Sequence, residues 1–156
     1  MTNGCPELLA GLTAEETERT LALGLHRSLL SGAELFQLGD PAECLCLSER
    51  GRIRLTMPMQ LRGREEDVLV EERTAGQTVG WSALIPPYRF TLRATAPVET
   101  EVRALSREAL RRHFVKYPAV GYAVSLNVAA VVGQRLQLFQ AMWLRQTQRV
   151  VESLYA

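Results

Sequence analysis

The segment GWSALIPPYRFTLRATA, residues 80–96, contains the residue types that a phosphate-binding turn uses. Gly80 precedes a short helix start, where free backbone N–H groups and the helix dipole favour an anion. Two prolines follow, and Arg89 then enters a strand of alternating side chains. A guanidinium beside such a turn neutralises a phosphate through charge-assisted hydrogen bonds. The segment therefore predicts either a site for a phosphorylated small molecule or the retained shape of one.

The other reactive side chains form no catalytic pattern. Ser82 stands at a helix start, where a serine is far more often a cap or an anion ligand than a nucleophile. His26 and His113 have no carboxylate or cysteine partner at ligand spacing, so both are predicted to be surface or helix-end residues. We expect no enzyme activity, no catalytic residue and no metal site.

Two of the three cysteines allow two explanations. Cys44 and Cys46 lie two residues apart in the run CLCLS and so share one face of a predicted strand. They form either a metal-binding or oxidation-sensing pair or, more commonly, part of a strand that is buried on both sides. With Cys5 the three thiols make neither a disulfide framework nor a tetrahedral zinc set. This cysteine usage predicts a reducing, cytoplasmic location.

Length and charge limit the classes of partner. The chain has 156 residues, about the length of one domain, so residues 1–156 are predicted to form a single domain. Its formal net charge is +1, with acidic and basic residues mixed along the chain. This distribution predicts no broad surface for nucleic acid or an anionic membrane. The N-terminus has no secretory pattern, and no run of eighteen apolar residues occurs.

The spacing of turn residues predicts a mainly β fold with flanking helices. Between residues 24 and 105, turn residues recur every eight to twelve positions and separate short alternating runs, a pattern typical of a sandwich or barrel. Residues 1–23 form a predicted N-terminal helical segment, in which Thr13 and Glu16 make a capping box. Residues 106–156 are predicted to be C-terminal helices, with Ser106 as the first N-cap.

The last helix is predicted to be long and to have more than one apolar face. About 37 residues follow Pro118 without another proline, which corresponds to roughly 55 Å of helix. The apolar residues of one face are Val120, Val124, Val128, Val131 and Met142, and those near other faces are Leu126, Leu136, Trp143 and Leu144. A second apolar face needs a second partner, so we expect a homodimer through residues 120–154. Gly133 either lets two helices approach or packs against the barrel.

Three glycines at fixed spacing carry a resemblance to a known family. The segment GAELFQLGDPAECLCLSERGRIRL contains Gly32, the pair Leu35 and Phe36, the pair Gly39 and Asp40, and Gly51. With the order of elements, it resembles the cyclic-nucleotide-binding domain of the catabolite activator protein and Fnr-type regulators. The resemblance implies a double-stranded β-helix, or jelly-roll, barrel with short N-terminal helices and a long C-terminal dimerisation helix.

The family's phosphate-binding cassette corresponds to residues 80–96. Its usual pattern is Gly-Glu-x-Ala-Leu, then Arg after several residues, then Ala-Thr or a similar pair; Gly80, Ala83 and Leu84 match it. Trp81 replaces the glutamate that accepts a hydrogen bond from the ribose, and an indole cannot accept one. The arginine position falls on Tyr88. Because neighbouring side chains in a strand alternate, Arg89 points outward unless the loop is one residue longer.

The resemblance also implies which residues would contact a ligand. Gln134 and Gln137 lie where the family's last helix passes over the pocket, although both could simply face solvent. The complete candidate set is Gly80, Trp81, Ser82, Ala83, Leu84, Tyr88, Arg89, Phe90, Thr91, Gln134 and Gln137.

These features together predict a regulatory or sensor domain. It would bind a small anionic effector, with cyclic AMP and cyclic GMP as candidates, would require no cofactor, and would transmit binding through the dimer helix. The alternative is a degenerate, ligand-free module for dimerisation or partner docking. Transcriptional relatives continue into a helix-turn-helix, whereas this chain ends at Ala156. We therefore expect no DNA-binding domain and no binding of nucleic acid or membrane by the chain itself.

Overall fold

Two four-stranded antiparallel sheets form the centre of the chain in a computed structural model that describes residues 4–156. The strand order is β1-β8-β3-β6 in the first sheet and β2-β7-β4-β5 in the second. The strands are β1 (Leu25–Leu29), β2 (Glu34–Phe36), β3 (Cys44–Arg50), β4 (Arg52–Leu61), β5 (Arg64–Thr74), β6 (Thr78–Val79), β7 (Arg93–Thr95) and β8 (Thr100–Ser106). The predicted jelly-roll fold with flanking helices is confirmed. The barrel, however, is not closed, because within the described residues no ladder joins an edge of one sheet to an edge of the other.

Helices precede and follow the sheets. A 3-10 turn, Glu7–Leu9, comes before α1 (Ala14–Leu21), and α2 (Arg107–Lys116) and α3 (Pro118–Tyr155) come after β8. The Thr13 hydroxyl accepts a hydrogen bond from the Glu16 amide, and the Glu16 carboxylate accepts one from the Thr13 amide, so the capping box is confirmed. The Ser106 hydroxyl likewise accepts from the Ala109 amide at 3.1 Å. Local capping therefore determines where α1 and α2 begin.

Strand β3 separates the two halves of the core. Cys46 packs between the sheets, whereas Leu45 and Leu47 pack on the other side with the helices. All three side chains are buried. The explanation of the CLCL run as a strand buried on both sides is thus confirmed, and burial raises the pKa of the Cys46 thiol to about 12. At neutral pH this thiol is protonated and is a poor metal ligand or redox centre.

The two histidines have different environments. His26 is exposed on β1, as predicted for a surface residue. His113 lies in the last turn of α2 but is buried, and its Nε2 atom is 3.2 Å from the Thr20 hydroxyl of α1. Burial, with Arg19 and Lys116 nearby, lowers the pKa of His113. We interpret this histidine as a packing contact between the two helices.

Helix α3 packs along the domain with one face and leaves another exposed. Its 38 residues extend about 57 Å at roughly 1.5 Å per residue. Val120, Val124, Val128 and Val131 are buried against the rest of the chain. Around Gly133 an added Cβ would meet no described atom within 4 Å, so this glycine does not pack against the sheets. None of the described helices combines the length and the apolarity that crossing a membrane requires.

A pair of glycine substitutions tests the turn between β3 and β4. Gly51 and Gly63 both have left-handed backbones, with φ of 86° and 78°. A Cβ at Gly51 would lie 2.5 Å from the Thr100 hydroxyl oxygen and 2.6 Å from the Glu99 carbonyl oxygen, while one at Gly63 would meet nothing within 4 Å. We expect Gly63→Ala to lower the free energy of unfolding in urea by about 1 kcal/mol and Gly51→Ala by about 3 kcal/mol. Equal losses would show that the contact with β8 contributes nothing.

Candidate functional site

The cassette begins with a tight turn at the end of β6. Gly80 has φ of 78°, and a Cβ there would lie 3.1 Å from the Phe90 ring and 3.3 Å from the Cys44 carbonyl oxygen. A 3-10 turn follows, Trp81–Ala83, in which Ser82 and Ala83 are buried. The predicted helix start is therefore only three residues long. A turn of this length provides little of the dipole that stabilises an anion at the start of a longer helix.

Backbone pairing determines the directions of the side chains that follow. Residues 39–42 pair with 88–90: the Gly39 amide donates to the Phe90 carbonyl at 2.8 Å, and the Phe90 amide donates to the Asp40 carbonyl at 3.0 Å. Phe90 is buried and its ring stacks on that of Phe36, with centroids 3.7 Å apart and an interplanar angle of 6°. Arg89 is exposed, and its Nη1 donates to the Gly39 carbonyl at 2.8 Å. Of the two directions that the sequence allows for Arg89, the structure has the outward one.

Tyr88 also points away from the interior of the sheets. Its backbone is left-handed, with φ of 58°, and its amide donates to the Ile85 carbonyl at 2.9 Å. Its ring lies under the Arg107 guanidinium of α2, with the Cζ atom 4.3 Å from the ring centroid. Thus neither residue at the expected arginine position lines the cavity that Trp81 borders. Leu84 contacts the same outer region as Tyr88.

The space that Trp81 and Ser82 border is very small. A cavity of about 10 Å³ lies there, which is close to the roughly 10–15 Å³ that one water molecule needs. Thr91 is an exposed residue at its border. The residues that line the cavity are Phe36, Leu55, Gly80, Trp81, Ser82, Phe90, Thr91, Leu92 and Arg135.

The helix residue at this cavity is Arg135, which the sequence analysis did not select. Its side chain is 8% exposed, whereas Gln134 and Gln137 are both exposed and do not line the cavity. Successive helix residues differ by about 100° in direction, so only one of these neighbours can face the sheets. A signal was present in the sequence: Arg135 follows Val128 by seven residues and Val131 by four, on the buried face.

Four charged residues join α3 to the sheets. The Arg135 Nε donates to one oxygen of Glu71 at 2.8 Å, and the Arg73 Nη1 donates to the other oxygen at 2.8 Å. Arg73, which is 3% exposed, also pairs with Glu7 and donates from Nε to the Thr78 carbonyl at 3.1 Å. Glu71 on β5 is therefore the shared partner of two buried guanidinium groups. This charge network consists of Glu7, Glu71, Arg73 and Arg135.

Burial opposes the charge of Arg135, and Glu71 compensates for it. Desolvation lowers the pKa of the Arg135 guanidinium from its usual value, while the neighbouring Glu71 carboxylate raises it. Within residues 4–156, Arg135 donates hydrogen bonds only from Nε, and neither of its Nη atoms has an acceptor. The described residues also contain no group of three or more His, Cys, Asp and Glu side chains that could hold a metal ion.

Comparison with known proteins gives one family match and one curated relative. A model of the cyclic nucleotide-binding domain matches residues 26–117. Glutaminase 1 of Bradyrhizobium diazoefficiens is 29% identical over 133 residues, which are 83% of this chain and 20% of that protein. The chain thus spans about a fifth of the length of this relative.

Solved structures show the same architecture. The catabolite activator protein of Thermus thermophilus is 26% identical with a TM-score of 0.74, and the match covers 90% of this chain and 63% of that one. The N-terminal domain of a transcriptional regulator from Streptomyces coelicolor A3(2) is 25% identical with a TM-score of 0.70, and the match covers 85% and 91% of the two chains.

A double-mutant cycle tests the connection between α3 and β5. Removing one partner of a buried ion pair leaves an uncompensated charge, so Glu71→Gln should lower the free energy of unfolding by about 3 kcal/mol. Arg135→Met should cost less, because Glu71 keeps its bond to Arg73, and the two substitutions should couple by about 1 kcal/mol. Glu72→Gln on the same strand is the control and should have a much smaller effect. Additive losses at Glu71 and Arg135 would contradict a direct interaction.

Proposed function

Because the chain belongs to the cyclic nucleotide-binding domain family, as its motifs indicated, we propose that it is a regulatory domain that dimerises through α3 and whose cassette is closed to cyclic nucleotides. The stack of Phe90 on Phe36 carries this proposal, since it occupies the interior of the cassette. A cavity of about 10 Å³ is far below the roughly 300–1,000 Å³ typical of small-molecule sites. This is the ligand-free alternative of the sequence analysis.

The polar groups of the cassette support the same proposal. Trp81 borders the cavity where the family's pattern has a glutamate, and it has no acceptor for a ribose hydroxyl. The Arg89 guanidinium is exposed and bonded to the Gly39 carbonyl. A cyclic nucleotide would therefore lack both its ribose acceptor and its cassette cation, in addition to the volume it needs.

The exposed face of α3 supports a second copy of the chain as its partner. Tyr122, Leu126, Leu136, Trp143, Val150 and Leu154 are large, exposed apolar residues. Together with smaller and polar residues that lie between them, these residues form a stripe along the helix. Its positions are spaced alternately four and three residues apart, which is the spacing of a coiled-coil seam. The stripe positions are 122, 126, 129, 133, 136, 140, 143, 147, 150 and 154. Ala129 and Gly133 belong to this stripe, and such small residues let two helices approach closely.

A second candidate function keeps an effector in the cassette. Arg135 lines the cavity with two Nη atoms that have no acceptor in the described chain, so it would provide the positive charge for a small anion if Phe90 moved away. This candidate is the effector-binding sensor that the sequence analysis expected, with the cation on α3 instead of at Arg89. It requires a second, more open packing of the cassette.

We propose a regulatory and not a catalytic role. The similarity to glutaminase 1 covers only a fifth of that protein, and it assigns no reaction to this domain. Three free thiols support a cytoplasmic location. The direct output of the domain would then be the arrangement of the two α3 helices in the dimer.

Titration with cyclic nucleotides tests the closed cassette. A ligand at 100 times its Kd stabilises a protein by about 2.7 kcal/mol, which corresponds to a rise in Tm of roughly 5–10 °C for a domain of this size. We expect millimolar cyclic AMP or cyclic GMP to leave Tm unchanged in thermal-shift measurements. A saturable rise would refute the closed cassette, and its loss in Arg89→Ala would further show that this guanidinium turns inward.

Sedimentation tests the dimer. The chain should sediment as a dimer at concentrations on the order of tens of micromolar, since a seam of several heptads buries many apolar side chains. Leu136→Arg places a charge within the stripe and should give a monomer with an unchanged circular dichroism spectrum. Gln148→Arg, on an exposed position outside the stripe, is the matched control and should remain dimeric. A monomeric parent chain, or equal effects of the two variants, would exclude α3 as the interface.

A further inference from the structure

A second cavity lies outside the cassette, between its loop and the C-terminal helices. Its volume is about 130 Å³, well above the roughly 10–15 Å³ that a water molecule needs. The cassette loop, α2 and α3 each contribute to its wall. The lining residues are Leu84, Tyr88, Arg107, Arg111, Phe114 and Ser125.

The charge of this outer cavity is positive. Arg107 and Arg111 both line it, and none of its described lining residues carries a carboxylate. The neighbouring carboxylate of Glu108 pairs instead with Arg112 on an exposed part of α2. Arg111 forms no ion pair within residues 4–156. Two guanidinium groups without a counter-charge repel each other, and an anion between them would relieve that repulsion.

Two of the residues that line the outer cavity, Arg107 and Tyr88, are held in place. Arg107 donates from Nη1 to the Ala42 carbonyl at 3.1 Å and stacks on Tyr88. Tyr88 is in turn fixed in its left-handed conformation, a costly one for a bulky residue, since its carbonyl accepts from the Ala42 amide at 2.8 Å. Residues held in such conformations are concentrated at binding sites.

The remaining walls suit a small, compact anion. Leu84 and Phe114 are half-buried and apolar, Tyr88 adds a hydroxyl group, and the Ser125 hydroxyl donates to the Gly121 carbonyl at 2.7 Å. One fixed cation, one exposed cation, a phenol hydroxyl and an apolar floor match a tetrahedral oxyanion, whose several oxygens accept hydrogen bonds from several directions. We infer that this outer cavity is a binding site for a phosphate group, either free inorganic phosphate or the terminal group of a small phosphomonoester.

Binding at the outer cavity would connect the cassette to the helices. The anion would bridge Arg111 and Arg107 on α2 while it contacts Tyr88 in the cassette loop. It would therefore favour the outward position of Tyr88. This site does not depend on dimerisation or on the closure of the cassette.

Nuclear magnetic resonance titration of the intact chain tests the outer cavity. Inorganic phosphate and glycerol phosphate are added separately at constant ionic strength, with sodium chloride as the reference titration. We expect saturable shifts in the amides of residues 84, 85, 88 and 107–111, and the tighter binding of the two ligands distinguishes free phosphate from a phosphomonoester. Linear shifts with phosphate that chloride reproduces would overturn the proposal.

Three variants identify the cations. Arg111→Gln, at an exposed position that should not affect folding, and Arg107→Gln should each weaken phosphate binding by roughly tenfold or more. Arg112→Gln removes the same charge from the next residue, outside the cavity, and should leave the affinity within about twofold. Equal weakening by Arg111→Gln and Arg112→Gln would mean that only the net charge matters, which refutes a specific site. Because sedimentation and cyclic-nucleotide titration measure other features, their outcome is separate from this one.

Discussion

Neighbouring side chains point to opposite faces in the extended segment that starts at Arg89. The backbone hydrogen bonds of this segment to residues 39–42 determine which side chains point inward. Phe90 consequently points inward and Arg89 outward. The order cannot be reversed without shifting the hydrogen bonds by one residue. The contents of the cassette follow from this constraint, because an aromatic ring and not a guanidinium occupies its interior and stacks on Phe36.

The same constraint explains why a charge on α3 can face the cassette. With Arg89 outside, Arg135 is the arginine that lines the cavity beside Phe90 among the described residues. Burying this group is unfavourable unless it is paired, and Glu71 on β5 provides the pair. Glu71 also bonds to the buried Arg73 on the same strand, so the position of α3 is tied to an edge strand of the second sheet. A rotation of α3 would have to break this bond or carry the charge out of the interior.

Rules that act over a few residues predicted most of the fold. The helix caps, the turn glycines and the alternating strands each depend on neighbours in the chain, so Thr13, Ser106 and Gly51 could be assigned directly. The rotation of α3 depends instead on its packing against the sheets. The family resemblance therefore pointed to Gln134 and Gln137, although the valine pattern of the helix indicated Arg135. Whether the barrel closes also depends on pairing between strands that are far apart in the sequence, and the alternation of side chains within one strand does not specify that pairing.

Two interactions beside the cavity form without a ligand. Phe90 stacks on Phe36, and Arg135 of α3 pairs with Glu71, so the chain itself provides an apolar contact and a charged one. An alternative packing would lose the aromatic stack and would either expose a buried charge or leave it without its partner. Each loss costs one to several kcal/mol. Together these costs strongly favour one packing, because a difference of only about 5.5 kcal/mol moves a two-state equilibrium from 1:99 to 99:1. A domain with this preference would be regulated more easily at its surface than inside its cassette, and the two sites proposed above, the α3 stripe and the outer cavity, both lie on that surface.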